Sequence, residues 1–500
     1  MKTKLLILPF FLFAIEQSFG QTNLPTVLAC TEILTITGSP YIVDSTITIK
    51  PGCILTVNPG VEIRMAENAH LIVKGKVDFM GTAAQPILIH AKDSIWGNIL
   101  LDSTLTQKST FNYVIIENAR QSAGINQEPG AIYGYFSALE IKNCHFKNNL
   151  RCIVIYQCQN TLIKNCILDS TNVGEKIHGQ YCHNAVVDGL TLYFTAGDKD
   201  VIDFDASNNL LISNNNIYGG GDDGIDIGQA DSIGCIGVTI QGNSIFNMLN
   251  KGISNGEYCL NVNIDHNLII GCGLGIGAKS GAHVIADHNT LYNNRMGVNS
   301  YDHLNQIWGP GHLTITNSII TGSDTTKHVD PTAYLSISYS LSEDTLMTGI
   351  GNIMGNPMFV SALQTRFPSH FNTGDYHLMP LSAAIDKGDS AFALDPDGSI
   401  TDIGRYYLNQ NTSVQKLNQN PEIDLIYPNP SNGKFILRMT PDYKIHRLLI
   451  LNVLGKVVRE SEFFGGGTGY QIDLSNQTAG VYYLQVFSGT SSATQKVVLY

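Results

Sequence analysis

Six aspartates fall between residues 200 and 226: Asp200, Asp203, Asp205, Asp222, Asp223 and Asp226. Charge is sparse elsewhere, with Asp, Glu, Lys and Arg making up 14% of the chain against about 25% in ordinary soluble proteins. Carboxylates gathered this densely repel one another, and they persist with a bound cation, raised pKa values or a cationic partner. Carboxylates serve as general acids and bases, and as ligands of hard cations such as Ca²⁺, which takes about six to eight oxygens. Lys251 and Lys279 follow, and a lysine whose pKa is lowered by desolvation is a base. Glu257, Arg295 and Tyr301 complete a set with the look of a substrate-binding surface. A solvated acidic face without chemistry is the plain alternative.

Elements that bring these residues together must recur, because the residues span about a hundred positions. The aliphatics Ile202, Ile225, Ile253, Ile276 and Val298 are spaced by 23, 28, 23 and 22 residues, each in a short apolar–polar–apolar run. Runs of three to five residues with period-two alternation are strands, and strands so short bury a face only by stacking on their neighbours. A repeat of this length closes one winding of a parallel β-helix, with windings about 4.8 Å apart. With the aliphatics inward, Asp203, Asp226, Ser254, Gly277 and Asn299 point outward in one file. Asp205, Gly228, Gly256, Lys279 and Tyr301 form a second file, and Asp200, Asp223, Lys251, Leu274 and Met296 a third. Strict alternation would turn Asp200 and Asp223 inward, so they must sit at a corner before the strand or the alignment slips there. A column of Asn-x-aliphatic at Asn165, Asn215, Asn243, Asn267, Asn289 and Asn317 is expected to form an internal amide ladder, since buried amides must be paired.

The ends have other textures. Lys2 and Lys4, the apolar run Leu5–Ile15 and the small residues near Gly20 form a signal-peptide pattern over residues 1–20, too short to span a bilayer. Its removal takes the net charge from −12 to −13, which argues against a general phosphate-backbone (nucleic-acid) partner. No later segment has the length and apolarity of a transmembrane helix. Ten cysteines lie between Cys30 and Cys272. Pairs such as Cys144/Cys166, Cys158/Cys182 and Cys235/Cys259 recur at the repeat spacing, which favours stacked core thiols over bridges, with Cys30–Cys53 the pair to test first. Asp395, Asp397 and Asp402 read as turn-forming carboxylates. Residues 405–421 read as a linker, and strand-like runs from 422 to 500 fit a small antiparallel β-sandwich.

Several segments resemble known families. Pro59-Gly60-Val61, Val73-Lys74-Gly75 and Trp96-Gly97 resemble the first windings of bacterial right-handed β-helix proteins. Gly355-Asn-Pro357 through Asp402-Ile-Gly404 resembles the segment that closes them. Tyr427-Pro-Asn-Pro430, Asn452-Val-Leu-Gly455, Asp473-Leu-Ser475 and Gly480-Val-Tyr482 resemble the C-terminal sorting domain of type IX secretion cargo. That likeness implies passage through the periplasm, the type IX machinery as a partner, and release or attachment at the outer-membrane surface. Asp200-Val-Ile-Asp203, Gly221-Asp-Asp-Gly224, Gly252-Ile-Ser254 and Gly275-Ile-Gly-Ala-Lys279 resemble the signature segments of polygalacturonase-type hydrolases. It implies catalytic roles for Asp200, Asp222 and Asp223, with Lys251 standing where that family has histidine. The same patch resembles the Ca²⁺ site of β-helix pectate lyases, implying Asp222, Asp223 and Asp226, with Asp198 or Asp200 one winding earlier, as ligands and a lysine base, for which Lys251 and Lys279 are the candidates.

The sequence therefore predicts an all-β protein: a signal peptide over 1–20, a right-handed parallel β-helix over 24–404, a linker over 405–421 and a sorting domain over 422–500. Three readings of its function stay open: a Ca²⁺-assisted lyase of acidic polysaccharide, a glycoside hydrolase, and a non-catalytic surface or adhesion protein with structural Ca²⁺. Asp203, Asp205, Glu257, Arg295 and Tyr301 are the candidate substrate contacts.

Overall fold

The computed structural model describes residues 20–410, apart from 124–128, 170–173, 194–196, 304–306 and 364–372, and residues 423–500, apart from 440–446, 454, 463–468 and 489–490. Residues 1–19 of the expected signal peptide and 411–421 of the expected linker lie outside them.

Short strands wind into three parallel sheets. One has 15 strands, from Thr22–Asn23 to Ile353–Met354, and another has 13, from Thr31–Leu34 to Tyr334–Ser338. The third, also of 13 strands, runs from Ile47–Ile49 to Thr325–Val329 and carries the aspartates; we call it the site sheet. One of its strands, Ile233–Gly234, is only a hairpin partner of Ile225–Ala230, so twelve windings stack along the axis. Alternation explains each strand: in Ile202–Asp205 the side chains of Ile202 and Phe204 are fully buried while Asp203 and Asp205 face out. Ile177, Ile202, Ile225, Ile253, Ile276 and Val298 stack in register as one internal file. Each such side chain contributes about 1.5–3 kcal/mol of burial, but only once its neighbours are in place.

Polar ladders inside the coil fix the windings. Asn215 Nδ2 donates to Asn243 Oδ1 at 2.9 Å, Asn243 to Asn267 at 2.9 Å, and Asn267 to Asn289 at 3.1 Å. Ser318 and Ser340 continue the file through their hydroxyls. The expected column is corrected at both ends, because Asn165 and Asn317 sit one residue earlier, at the turn. They share the left-handed backbone of Asn214, with φ of 53°, 46° and 55°, a conformation asparagine tolerates. The ladder position beside Asn165 belongs to Cys166, whose Sγ accepts the N–H of Cys144 at 3.4 Å. In a second file the Cys182 N–H donates to Ser207 Oγ, and the Ser207 N–H to Cys235 Sγ. Eight cysteines are thus free and buried, and Cys30–Cys53 is a disulfide.

The outer face of the 15-stranded sheet is covered by the segment that follows the last winding. Phe359, Tyr376, Leu378, Ala384 and Ile403 pack on Phe246, Leu268, Ile270, Ile319 and Leu341. Arg405 donates to the carbonyls of Gly242 and Asn243 and to Ser244 Oγ. These contacts carry the helix unit through Asn409, beyond the expected start of the linker at 405. Asp395, Asp397 and Asp402 hold turns, accepting the N–H groups of Asp402, Ser399, and Asp386 and Leu408.

The second unit, Gln410–Tyr500, has a three-stranded and a four-stranded antiparallel sheet. Its separate core is built from Phe435, Leu437, Leu448, Ile450, Ile472, Leu484, Val486 and Val497. Ile423–Tyr427 adds a first strand to those legible in the sequence.

Candidate functional site

Register places the outward residues where the repeat alignment puts them. Asp203 pairs with Asp226, Asp226 with Ser254, Ser254 with Gly277, and Gly277 with Asn299. Asp205 lies opposite Gly228, and Lys279 opposite Tyr301. The two awkward aspartates resolve as corner residues, since their strands begin only at Ile202 and Ile225. The Asp223 N–H donates to Asp200 Oδ1 at 3.0 Å, and the Lys251 N–H to Asp223 Oδ1 at 2.7 Å. Asp200, Asp223 and Lys251 therefore form a file of their own along the edge of the site sheet. Gly221 makes this corner possible, because a Cβ there would lie 1.3 Å from the carbonyl oxygen of Gly197 on the winding before.

The carboxylates converge. Asp200, Asp222 and Asp223 offer oxygens all within 4.8 Å of one another, and so do Asp200, Asp203 and Asp226. Burial, then repulsion from Asp226, Asp203 and Asp223, pushes Asp200 up to about 9. Burial followed by Asp203 and Asp226 raises Asp205 to about 8. Asp223 rises to about 6, chiefly through burial and Asp226, with Lys251 opposing. Asp203 is raised by burial against the pull of His178, whose Nδ1 lies 3.2 Å from it. Asp222 accepts from Asn250 Nδ2 at 2.6 Å.

The lysines behave differently from the expectation of a base freed by desolvation. Lys251 Nζ lies 3.2 and 2.9 Å from the two Asp223 oxygens in a buried ion pair. Burial is the largest influence and lowers its pKa, but the charge and hydrogen bond of Asp223 together with Tyr301 outweigh it and the net shift is upward. Lys279 is likewise held protonated: burial is overcome by Asp226 and Glu257, the latter 4.0 Å away. Tyr301, opposite Lys279, is raised by burial while both lysines counter it. Arg295 is exposed at the corner before Met296–Tyr301, and among the described residues no ion pair joins it to the carboxylates.

Two further observations bear on what this groove holds. Asp226 Oδ1 and Ser254 Oγ, on facing residues, are both buried without a hydrogen-bond partner, a costly state unless some group completes them. The close approach of Asp200, Asp222 and Asp223 is shorter than the roughly 6.5–9.5 Å that separates the carboxyl groups of inverting glycosidases. It fits oxygens sharing one Ca²⁺, whose bonds of about 2.3–2.6 Å place opposed ligands up to about 5 Å apart. Sequence reading missed His178 and Asn250. His178 is Asp203's register partner one winding earlier, and the repeat spacing alone would have found it had the alignment been carried one winding back.

Twelve stacked windings of parallel sheet and a separate antiparallel C-terminal unit define a β-solenoid protein with a second, smaller β domain. Residues 130–294 match the family model for the right-handed beta helix region, and residues 425–500 match that for the secretion system C-terminal sorting domain. The chain is a right-handed parallel β-helix protein with a type IX sorting domain, which directs it to the cell surface or extracellular space. No curated protein matches it. Among solved structures it is similar to the periplasmic alginate epimerase AlgG at 12% identity and a TM-score of 0.49, over 63% of this chain and 78% of that one. It is similar to the catalytic domain of a GH87 alpha-1,3-glucanase at 12% and 0.34, over 56% and 63%. A mannuronic acid specific polysaccharide family 6 lyase from human gut microbiota stands at 11% and 0.35, over 62% and 82%. No described helix is long and apolar enough to cross a membrane.

Proposed function

We propose that this exported β-helix protein acts on an acidic polysaccharide, and that Asp200, Asp222, Asp223 and Asp226 hold a Ca²⁺ ion beside Lys251 and Lys279. The supporting observation is a pair of carboxylate triads, Asp200–Asp222–Asp223 and Asp200–Asp203–Asp226, each with oxygens within 4.8 Å of one another and joined at Asp200, with a buried Asp226 oxygen that lacks a hydrogen-bond partner. Asp200 and Asp222 each have one carboxylate oxygen outside the hydrogen bonds described above, free to turn to a ligand. A Ca²⁺ ion held by these carboxylates would supply positive charge that attracts a uronate carboxylate and favours loss of the proton beside it. Lys279 is the base of this reading: Asp226 is the largest of the charges that hold it protonated, and a cation on Asp226 would lower its pKa. Glu257 and Tyr301 flank Lys279 and Arg295 stands exposed beyond them, as contacts for neighbouring sugar units.

A second reading rests on Asp200. A carboxyl raised to about 9 stays protonated at neutral pH and supplies the general acid that glycoside hydrolysis needs. Turnover of polygalacturonate and alginate, with and without chelator, separates the readings. New ultraviolet-absorbing unsaturated ends that vanish with chelator support the lyase, whereas reducing ends without them support the hydrolase. Neither product, with only a chelator-dependent fall in melting temperature, indicates a non-catalytic protein with structural Ca²⁺.

A further inference from the structure

The site sheet carries a third set of donors, which shares Asp203 with the carboxylate triads and adds His178 and Asp205. Asp203 and Asp205 project from the same face of one strand, two residues apart, and His178 stands opposite Asp203 on the preceding winding. Donor atoms of His178, Asp203 and Asp205 all lie within 4.8 Å of one another. Two donors at i and i+2 and a third on the adjacent strand give a β-sheet face three converging ligands, since strands lie about 4.8 Å apart and side chains repeat every second residue. All three residues are half-buried, so the set is held by the sheet yet open on its outer side. The Asp205 carboxylate makes no hydrogen bond or ion pair among the described residues, and it lies over Gly228, where a Cβ would come 2.7 Å from Oδ1. A larger residue at 228 would push that carboxylate away.

We propose that His178, Asp203 and Asp205 form a separate site for a divalent transition-metal ion such as Zn²⁺. The imidazole separates this site from the all-oxygen groove, because imidazole nitrogen suits Zn²⁺, Ni²⁺ and Cu²⁺ whereas carboxylates alone suit Ca²⁺ and Mg²⁺. A neutral imidazole and two carboxylates balance a divalent charge. Three protein ligands leave a coordination position open for water or a sugar hydroxyl, as in catalytic rather than structural zinc sites. Asp203, in register with both His178 and Asp226, links the two sites along the helix axis about one winding apart.

The test is calorimetric titration of the full mature chain with Zn²⁺ in the presence of saturating Ca²⁺, comparing wild type with His178→Ala, Asp205→Asn and Asp223→Asn. The stacked imidazoles of His283 and His312 are unchanged in all of them and give a common background. The proposal expects a Zn²⁺ binding event in wild type and Asp223→Asn that weakens about ten-fold or more in His178→Ala and Asp205→Asn. Unchanged melting temperatures in chelator show that the latter two variants fold. Wild-type Zn²⁺ affinity in His178→Ala overturns the proposal, as does equal loss in Asp223→Asn, which would mean one shared site. Failure of Ca²⁺ to bind at all, with the Zn²⁺ event intact, contradicts the proposed function and leaves this site standing.

Discussion

At residue scale, Asp223 and Lys251 carry the sharpest trade between stability and chemistry. Their side chains are 4% and 11% exposed, and removing one partner of a buried pair costs on the order of 3–5 kcal/mol because the other charge is left alone. Asp223→Asn and Lys251→Met should therefore each lower stability by about that much in urea unfolding. The double variant should recover most of the loss; an additive double variant would show that the two are not coupled. The carboxylate set was legible in the sequence because its residues fall on the repeat. The protonation of the lysines was not, because it depends on which charge lies nearest after folding. Lys251 meets Asp223 from the next winding, 28 residues away, and only the corner geometry brings the two side chains together.

At the scale of the strand and its turn, two kinds of asparagine look alike in sequence and differ in structure. Asn267 lies inside the coil, donating to Asn289 Oδ1 and to the Ile240 and Asp265 carbonyls while its Oδ1 accepts from Asn243. Asn165 is exposed at a left-handed turn. Asn267→Ala should cost about 1–3 kcal/mol per buried group left unpaired, whereas Asn165→Gly should be nearly neutral, since glycine accepts that backbone freely. Comparable melting temperatures for the two variants would refute the assignment. The Asn-x-aliphatic pattern showed the period but not the phase, because asparagine suits both an internal ladder and a turn. Backbone conformation settles the difference. The corner placement of Asp200 and Asp223 escaped the period-two rule for a related reason: the winding turns there, and Gly221 permits a contact that no other residue would.

At the scale of the whole molecule, the parallel coil and the antiparallel C-terminal unit were legible, because every winding repeats one pattern and the tail has its own strand rhythm, although the first strand of the tail, Ile423–Tyr427, was not. Less legible was the segment after the last winding, where Arg405 and Tyr406 pack on the solenoid although their neighbours in sequence look like linker. The fold's consequence for function is that two adjacent windings stack their carboxylates into one groove with lysines on the next two. The proposed function requires these carboxylates to hold a divalent cation through Asp226. Titrating Ca²⁺ into the chelator-treated chain while following the melting temperature tests this directly. Wild type should gain stability as RT ln(1 + [Ca²⁺]/Kd), about 2.7 kcal/mol at a hundred-fold excess over Kd, and Asp226→Asn should lose most of that gain. A wild-type melting temperature indifferent to Ca²⁺, or an Asp226→Asn variant stabilised as strongly as wild type, would contradict it.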